Sequence, residues 1–262
     1  MSAPNTLNVC LGHLAFPQTH NRHIDLMIAP LLVAGPKKLA LVEDSSFGPN
    51  GSALSEYAQL LWLLDNLWTL TAGCSYIRIF HYRRFVSAKT PPIGRRSSNL
   101  PWATTIHAAD LDAFEPSFSR NCGSELFNTP VQFHGGMLYQ YAQSHILEDI
   151  LNFSKFLTEN AILTPLDCAE FLSMQLHIPS CNIGIFTKAA YAEIFGALRR
   201  AAGFLESPYF VLRPGYQRRS VGFLLERLNS YLIIKRIRSG HSSSSFGHNV
   251  VISDTAVVSA TG

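Results

Sequence analysis

The sequence predicts an α/β fold, a single domain whose mostly parallel sheet is flanked by helices. Over the first 90 residues, short apolar runs with strand character alternate with helical sequence, which is the pattern of βαβ units. The chain has 262 residues, of which 47% are hydrophobic and 15% are charged. A chain of this length and composition can bury a sizeable core and is too apolar to be disordered.

The elements follow one another along the chain. Strands are predicted at residues 6–11, 28–33, 39–42, 76–80 and 182–186. Helices are predicted at residues 54–70, 137–157, 165–174, 189–204 and 220–237. The first helix has leucines at helical spacing and a candidate N-cap in Ser52 or Ser55. Residues 87–130 are rich in turn-forming residues and are predicted to be mainly loop.

The domain is expected to span residues 1–238. Residues 239–262 begin with a Ser/Gly-rich stretch and continue with β-prone sequence at residues 250–258. We therefore expect a linker and a β-prone tail after the domain.

Composition excludes some classes of function and favours a cytoplasmic location. A formal net charge of +3 argues against a dedicated nucleic-acid binder. Five cysteines at irregular spacing indicate reduced thiols, and the first ten residues do not form a secretory signal. The most apolar window, residues 54–70, contains Glu56 and Asp65 and is shorter than the ~20 apolar residues that span a bilayer.

Positive charge is concentrated in residues 199–238, which include the helix predicted at residues 220–237. Such a helix can lie on the anionic inner face of the cytoplasmic membrane. The alternative, which we favour, is a helix that packs in the core while its arginines are solvated or hold phosphate groups.

Two polar clusters follow predicted strands. Gly12 and His13 follow the first strand, and His81, Arg83 and Arg84 follow the strand at residues 76–80. If the strands are parallel neighbours, the clusters meet at the carboxyl edge of the sheet, where α/β folds bind ligands. Guanidinium groups are suited to phosphate oxygens. The alternative is that the adjacent arginines point to opposite faces and are merely solvated.

The blocks SEYAQLLWLLDNL and YIRIFHYRRF resemble a bacterial family of glycosyltransferases from capsule and O-antigen gene clusters. The resemblance extends over residues 7–238, in the same order. It includes Gly12-His13, Ser55-Glu56, the HYRR block, a helix with His145 and Asp149, and a helix with Gly222, Glu226, Arg227 and Leu228.

The resemblance implies a GT-A-like fold with a Rossmann-like first half, and a nucleotide-sugar donor. The donor-binding residues that it implies are His13, Glu56, His81, Arg83, Arg84, Asn182 and Arg227. GT-A enzymes usually hold a metal with an Asp-x-Asp where this chain has HYRR. We therefore expect Arg83 or Arg84 to neutralise the leaving nucleotide without a cofactor. Asp110 and Asp112 form the alternative site for Mg²⁺ or Mn²⁺.

An inverting sugar transfer needs a general base on the acceptor side. By its place in the chain, Glu226 is the leading candidate and Asp149 is the rival. Glu226 could instead pair with Arg227 on a solvated face, and Asp149 could be a surface carboxylate beside His145.

The acceptor side is predicted to include His134, His145 and Trp102. His13, His20 and His23 could instead hold zinc in a hydrolase, although catalytic zinc motifs are usually more tightly spaced.

The sequence thus predicts a glycosyltransferase that moves a hexose from a UDP-sugar, with galactose as pyranose or furanose expected, to a saccharide or lipid-linked acceptor in surface polysaccharide assembly. The alternative is a non-catalytic module that binds glycan or nucleotide in a larger assembly.

Overall fold

A computed structural model describes residues 5–12, 24–30, 38–91, 95–96, 100–108, 110–111, 123–240 and 244–253. The first half of the sheet is parallel. Its strands are β1 (Thr6–Leu11), β2 (Leu26–Ala29), β3 (Leu39–Leu41) and β4 (Tyr76–His81). They lie in the order β3-β2-β1-β4. Their carboxyl ends therefore meet at one edge of the sheet.

The second half of the sheet is mixed. It contains β5 (Arg84–Ser87), β6 (Arg95–Arg96), β7 (Ala103–Ile106), β8 (Glu125–Asn128), β11 (Gly184–Thr187) and β12 (Ser244–Ile252). β11 runs antiparallel to both β4 and β8. β12 pairs with β8, β7 and β5, and β5 pairs back with β4. The strands β4, β11, β8, β12 and β5 therefore close a ring.

The prediction of a mostly parallel sheet is correct for the first four strands. In the rest of the sheet β12 is parallel to β7 and β8, and the other pairs are antiparallel. The strands β5 to β8 are only two to four residues long, and they lie largely within sequence that turn-forming residues marked as loop. A separate two-stranded sheet pairs β9 (Val131–Gln132) with β10 (Leu176–His177).

The helices match their predicted places, but two of the predicted helices are interrupted. The helices are α1 (Tyr57–Asp65), α2 (Leu67–Leu70), α3 (Gly136–Ala142), α4 (Leu147–Glu159), α5 (Pro165–Ser173), α6 (Lys188–Ala202) and α7 (Ser220–Arg238). The predicted first helix begins as the 3₁₀ turn Gly51–Leu54 and breaks again at Asn66. The helix predicted at residues 137–157 is split because Ile146 is extended.

Helix α7 lies in the core. It buries Phe223, Leu224, Leu228 and Tyr231, so the core-packing interpretation is confirmed. Several of its basic side chains pair with acids on neighbouring helices: Lys235 with Asp167, Arg236 with Glu193 and Arg238 with Glu170. Among the described residues, none of the helices combines the length and apolar character needed to cross a bilayer.

The segment after residue 238 contributes β12 to the sheet. Its Asn249 and Val250 are buried, and its neighbours on both sides are strands of the predicted domain. The stretch that we expected to be a linker and tail is thus structurally continuous with residues 1–238 over its described part.

Candidate functional site

A cavity of about 440 Å³ lies at the carboxyl edge of the parallel strands. Pro30 follows β2 and Val42 follows β3, and both line it. Its other lining residues come from the start of α1 and from the turn before α7: Ser52, Ser55, Glu56, Ala58, Gln59, Gly215, Arg218 and Arg219. We call it the strand-end cavity. It occupies the position at which α/β folds bind ligands.

A second cavity of about 290 Å³ lies beside the first and is predominantly polar. It is lined by Ser55, Glu56, Tyr57, Arg84, Ser180, Asn182, Tyr216, Arg219, Gly222, Phe223 and Glu226. We call it the central cavity. Because Ser55, Glu56 and Arg219 line both cavities, the two adjoin along these side chains.

The HYRR block forms a tight β-hairpin. His81 ends β4, Arg84 begins β5, and the two residues are paired across the hairpin. Paired residues on adjacent strands project to the same face, so the side chains of His81 and Arg84 lie together. Arg83 is in the turn, is exposed, and stacks over the Tyr82 ring. Of the two predicted anion-binding arginines, Arg84 lines the central cavity and Arg83 lines neither cavity.

Glu56 joins the two cavities. Its carboxylate accepts a hydrogen bond of 2.6 Å from Asn182 Nδ2 and lies 3.3 Å from His81 Nε2. Burial alone would raise the pKa of Glu56, but the hydrogen bond from His81 and the charges of His81, Arg219 and Arg84 lower this pKa to about 2. Glu56 is therefore a fixed negative charge at neutral pH.

The loop before β11 supplies Ser180 and Asn182. Ser180 adopts φ +51°, and its hydroxyl accepts a hydrogen bond of 2.8 Å from Arg84 Nη1. Asn128 at the end of β8 donates to the backbone carbonyl of Ser180, and Asn249 of β12 donates to its hydroxyl. Strand β12 thus supports a residue that lines the central cavity.

Ser55 is the second non-glycine residue of this cavity with a positive φ, at +55°. Such backbone is costly for an L-residue and is found preferentially at functional sites. Its hydroxyl accepts a hydrogen bond of 2.9 Å from Arg219 Nε, which holds that guanidinium where the cavities adjoin.

Glu226 lies on the wall that α7 contributes to the central cavity, with 31% of its side chain exposed. Its Oε2 accepts a hydrogen bond of 3.0 Å from Arg227 Nη1. Arg227 was expected to bind donor, but it is only 6% exposed and lies behind Glu226. There it also donates to the Phe223 carbonyl and to Gln140. Arg227 therefore supports Glu226 and lines neither cavity.

Asp149 lies on α4, is buried, and accepts hydrogen bonds of 2.8 and 3.1 Å from Arg213. Burial raises its pKa, which the hydrogen bond and charge of Arg213 oppose. It lines neither cavity. Of the two candidate bases, Glu226 therefore lines the central cavity and Asp149 lies outside the linings of both cavities.

His145, one of the predicted acceptor residues, is half-buried behind the central cavity. Its ring stacks on Phe223 at 4.2 Å, and Nδ1 lies 3.3 Å from Gln217 Oε1. Burial and, after it, the charge of Arg227 lower the pKa of His145 to about 4. The imidazole is therefore neutral at pH 7.

The other predicted residues lie elsewhere. Trp102 and His134 are exposed and line neither cavity, and Asp110 lies in a turn after β7. His13, His20, His23 and Asp112 lie outside the described residues. Among the described residues, no group of three or more His, Cys, Asp or Glu side chains is arranged to hold a metal ion.

Sequence reasoning did not identify Arg218, Arg219 and Tyr216 as site residues. All three belong to the 3₁₀ turn Gly215–Arg219 before α7. The concentration of positive charge in residues 199–238 was the available signal, but it could not show which arginines face the cavities.

The comparisons with known proteins support the fold. No family model and no curated protein matches the chain, so the HYRR resemblance stays a prediction. Among solved structures, the chain is similar to the apo structure of WbbM, which is described as a bifunctional glycosyltransferase. The TM-score is 0.71 at 11% identity. This chain shares the fold of the part of WbbM that it matches.

The likeness to WbbM covers 98% of this chain and 47% of the WbbM chain. This chain therefore spans about half the length of WbbM. The coverage also includes residues beyond 238, in agreement with the place of β12 in the sheet.

Proposed function

We propose that this chain is a glycosyltransferase that moves a hexose from a nucleoside diphosphate to the hydroxyl of a saccharide acceptor. The observation that carries the proposal is the pair of adjoining cavities, in which the cations Arg84 and Arg219 stand near the carboxylates Glu56 and Glu226. Cations suit a diphosphate leaving group, and a carboxylate suits proton abstraction. The fold shared with WbbM supports this class of reaction.

The strand-end cavity is proposed to take the nucleoside, because it lies at the carboxyl edge of the parallel strands. The diphosphate then lies where the cavities adjoin, near Arg219 and Arg84, and the sugar enters the central cavity. There Glu56, Asn182 and Ser180 offer polar groups to sugar hydroxyls. The resemblance in sequence extends the proposal to UDP-galactose, as pyranose or furanose, and to lipid-linked acceptors of surface polysaccharide at the inner face of the membrane.

In the proposed inverting step, Glu226 takes the proton of the acceptor hydroxyl as its oxygen attacks the anomeric carbon. The bond from that carbon to the diphosphate breaks, and the leaving group carries away the electron pair. Arg84 and Arg219 stabilise the charge that develops on the diphosphate. Arg227 keeps the Glu226 carboxylate in position through the 3.0 Å hydrogen bond. No step in this scheme requires a metal cofactor.

The test compares the turnover of two variants, Glu226→Gln and Asp149→Asn, each of which removes one of the two candidate bases. Removing a general base typically lowers the rate by ~10²–10⁴-fold while binding survives. We expect Glu226→Gln to bind UDP normally and to lose transfer of hexose from UDP-hexoses. Asp149→Asn should keep turnover, because Asp149 lines neither cavity. Turnover retained in Glu226→Gln and lost in Asp149→Asn would reverse the assignment. UDP binding without turnover in the unchanged protein would indicate the non-catalytic binding module.

A further inference from the structure

Tyr216 presents an aromatic ring at the mouth of the central cavity. Tyr216 is among the residues that line the cavity containing Glu226, and 65% of the residue is exposed. It follows Gly215, whose φ of +58° is readily adopted by glycine. An aromatic ring this exposed at the edge of a polar cavity is available to a ligand.

The ring is held in place from behind. Phe223 packs against it at 5.0 Å between ring centroids, and the His145 ring is parallel to it within 15° at 6.3 Å. Phe223 and His145 themselves stack at 4.2 Å. Gln217, the next residue along the chain, contacts His145 and donates to the carbonyl of Ser144. An exposed ring supported on one side loses little conformational entropy when a ligand covers its other side.

We infer that Tyr216 is the platform on which the acceptor sugar stacks, an inference that rests on the proposed function. A pyranose has one face of C–H groups and a rim of hydroxyls. The C–H groups complement the negative face of an aromatic ring, and the hydroxyls complement polar side chains such as Glu226 and Ser180 in the same cavity. A flat aromatic face at the edge of a predominantly polar cavity thus fits a saccharide.

The position of the ring argues against a contact with the nucleoside of the donor. Tyr216 lines the central cavity and does not line the strand-end cavity, where the nucleoside is proposed to bind. It lies in the same cavity as the proposed base, Glu226, which must reach the acceptor hydroxyl. In this arrangement His145 supports the platform from behind, and the sugar touches Tyr216.

The experiment titrates methyl β-galactopyranoside by NMR into the UDP-saturated protein. The variants are Tyr216→Ala, Tyr216→Phe and, as a control, Tyr139→Ala, which removes a ring that is also exposed but lines neither cavity. We expect the glycoside to bind the unchanged protein, Tyr216→Phe and Tyr139→Ala alike. Tyr216→Ala should bind it about tenfold more weakly. Calorimetry should give the same UDP affinity for all four proteins.

Two results of the glycoside titration would overturn the inference. The glycoside could fail to bind the unchanged protein, or it could bind Tyr216→Ala with the same affinity as the unchanged protein. A loss of UDP affinity in Tyr216→Ala would also overturn it, because the ring would then stack on the nucleotide base. Failure of the unchanged protein to bind UDP would instead refute the proposed function, which separates the two outcomes.

Discussion

His81 Nε2 lies 3.3 Å from Glu56 Oε1, which connects the end of β4 to the start of α1. The contact brings together two residues that are 25 positions apart in the sequence. Asn182 reaches the other oxygen of the same carboxylate from the loop before β11. The start of α1, the end of β4 and the loop before β11 therefore meet at Glu56. The charge of this carboxylate contributes both to the stability of the fold and to the arrangement of the site.

Glu56 should make stability depend on pH in the acid range. Its pKa is lowered to about 2 in the folded protein from an ordinary value of 4.5. The carboxylate therefore stabilises the fold above pH 4.5, and this contribution, at most roughly 3 kcal/mol, is lost as the pH falls toward 2. In urea titrations across this range, the difference in unfolding free energy between the unchanged protein and Glu56→Gln should shrink. If that difference did not change with pH, the lowered pKa of Glu56 would be contradicted. The control is Glu159→Gln, at the exposed end of α4.

Arg84 and Arg83 offer a matched pair of adjacent arginines. Arg84 lines the central cavity and Arg83 is in the exposed turn. Each charge-assisted hydrogen bond to phosphate contributes ~1.5–3 kcal/mol. Calorimetry should therefore show that Arg84→Ala weakens the affinity for UDP on the order of tenfold or more. The affinity of Arg83→Ala for UDP should be nearly unchanged. Equal affinities in the two variants would remove Arg84 from the anion site.

Metal chelation is expected to leave the proposed transfer intact. The charge of the diphosphate is balanced by Arg84 and Arg219 in our scheme, and both line the central cavity. Activity measured after dialysis against EDTA should match that of the untreated protein. If EDTA abolished activity and Mn²⁺ restored it, the scheme would need a metal, and Asp110 and Asp112 would again be candidates.

Gly222 allows α7 to approach the site closely. A Cβ at this position would lie 2.8 Å from the Leu54 carbonyl oxygen and 3.0 Å from the Ser55 side chain. Gly222→Ala should therefore cost about 1–3 kcal/mol in unfolding free energy and reduce turnover, because α7 and Ser55 must separate. Gly196 in α6 has open space around it, so Gly196→Ala should stabilise by ~0.5–1 kcal/mol. Thermal melts of the two variants would compare their stabilities. The close approach of α7 at Gly222 would be contradicted if Gly222→Ala were as stable as Gly196→Ala.

The fold was predictable wherever the sequence had strong periodicity. The buried strand β1 and the helices α6 and α7 appear close to their predicted positions. The mixed half of the sheet was not predictable, because strands as short as β6 carry too few residues to establish a period. Their pairing depends on contacts with β12, more than 100 residues away in the sequence.

The part of the site that lies at the ends of strands was predictable from the sequence. His81 and Arg84 follow β4 and come together as the hairpin dictates. Arg227 was misplaced because consecutive residues on a helix point about 100° apart, so the residue after Glu226 turns into the core. Tyr216 and Arg219 were missed because their segment has neither strand nor helix periodicity.

Strand β12 follows every other described strand in chain order, yet it occupies an interior position between β8 and β7. During synthesis, the edges of β8 and β7 that face β12 stay unpaired until residues 244–252 have emerged. Unpaired edges attract other strands and promote aggregation. Closure of the ring therefore depends on a contact of long sequence separation, which slows folding. Because Asn249 of this strand also donates to Ser180, a nascent chain would acquire its finished cavity only after β12 has joined the sheet.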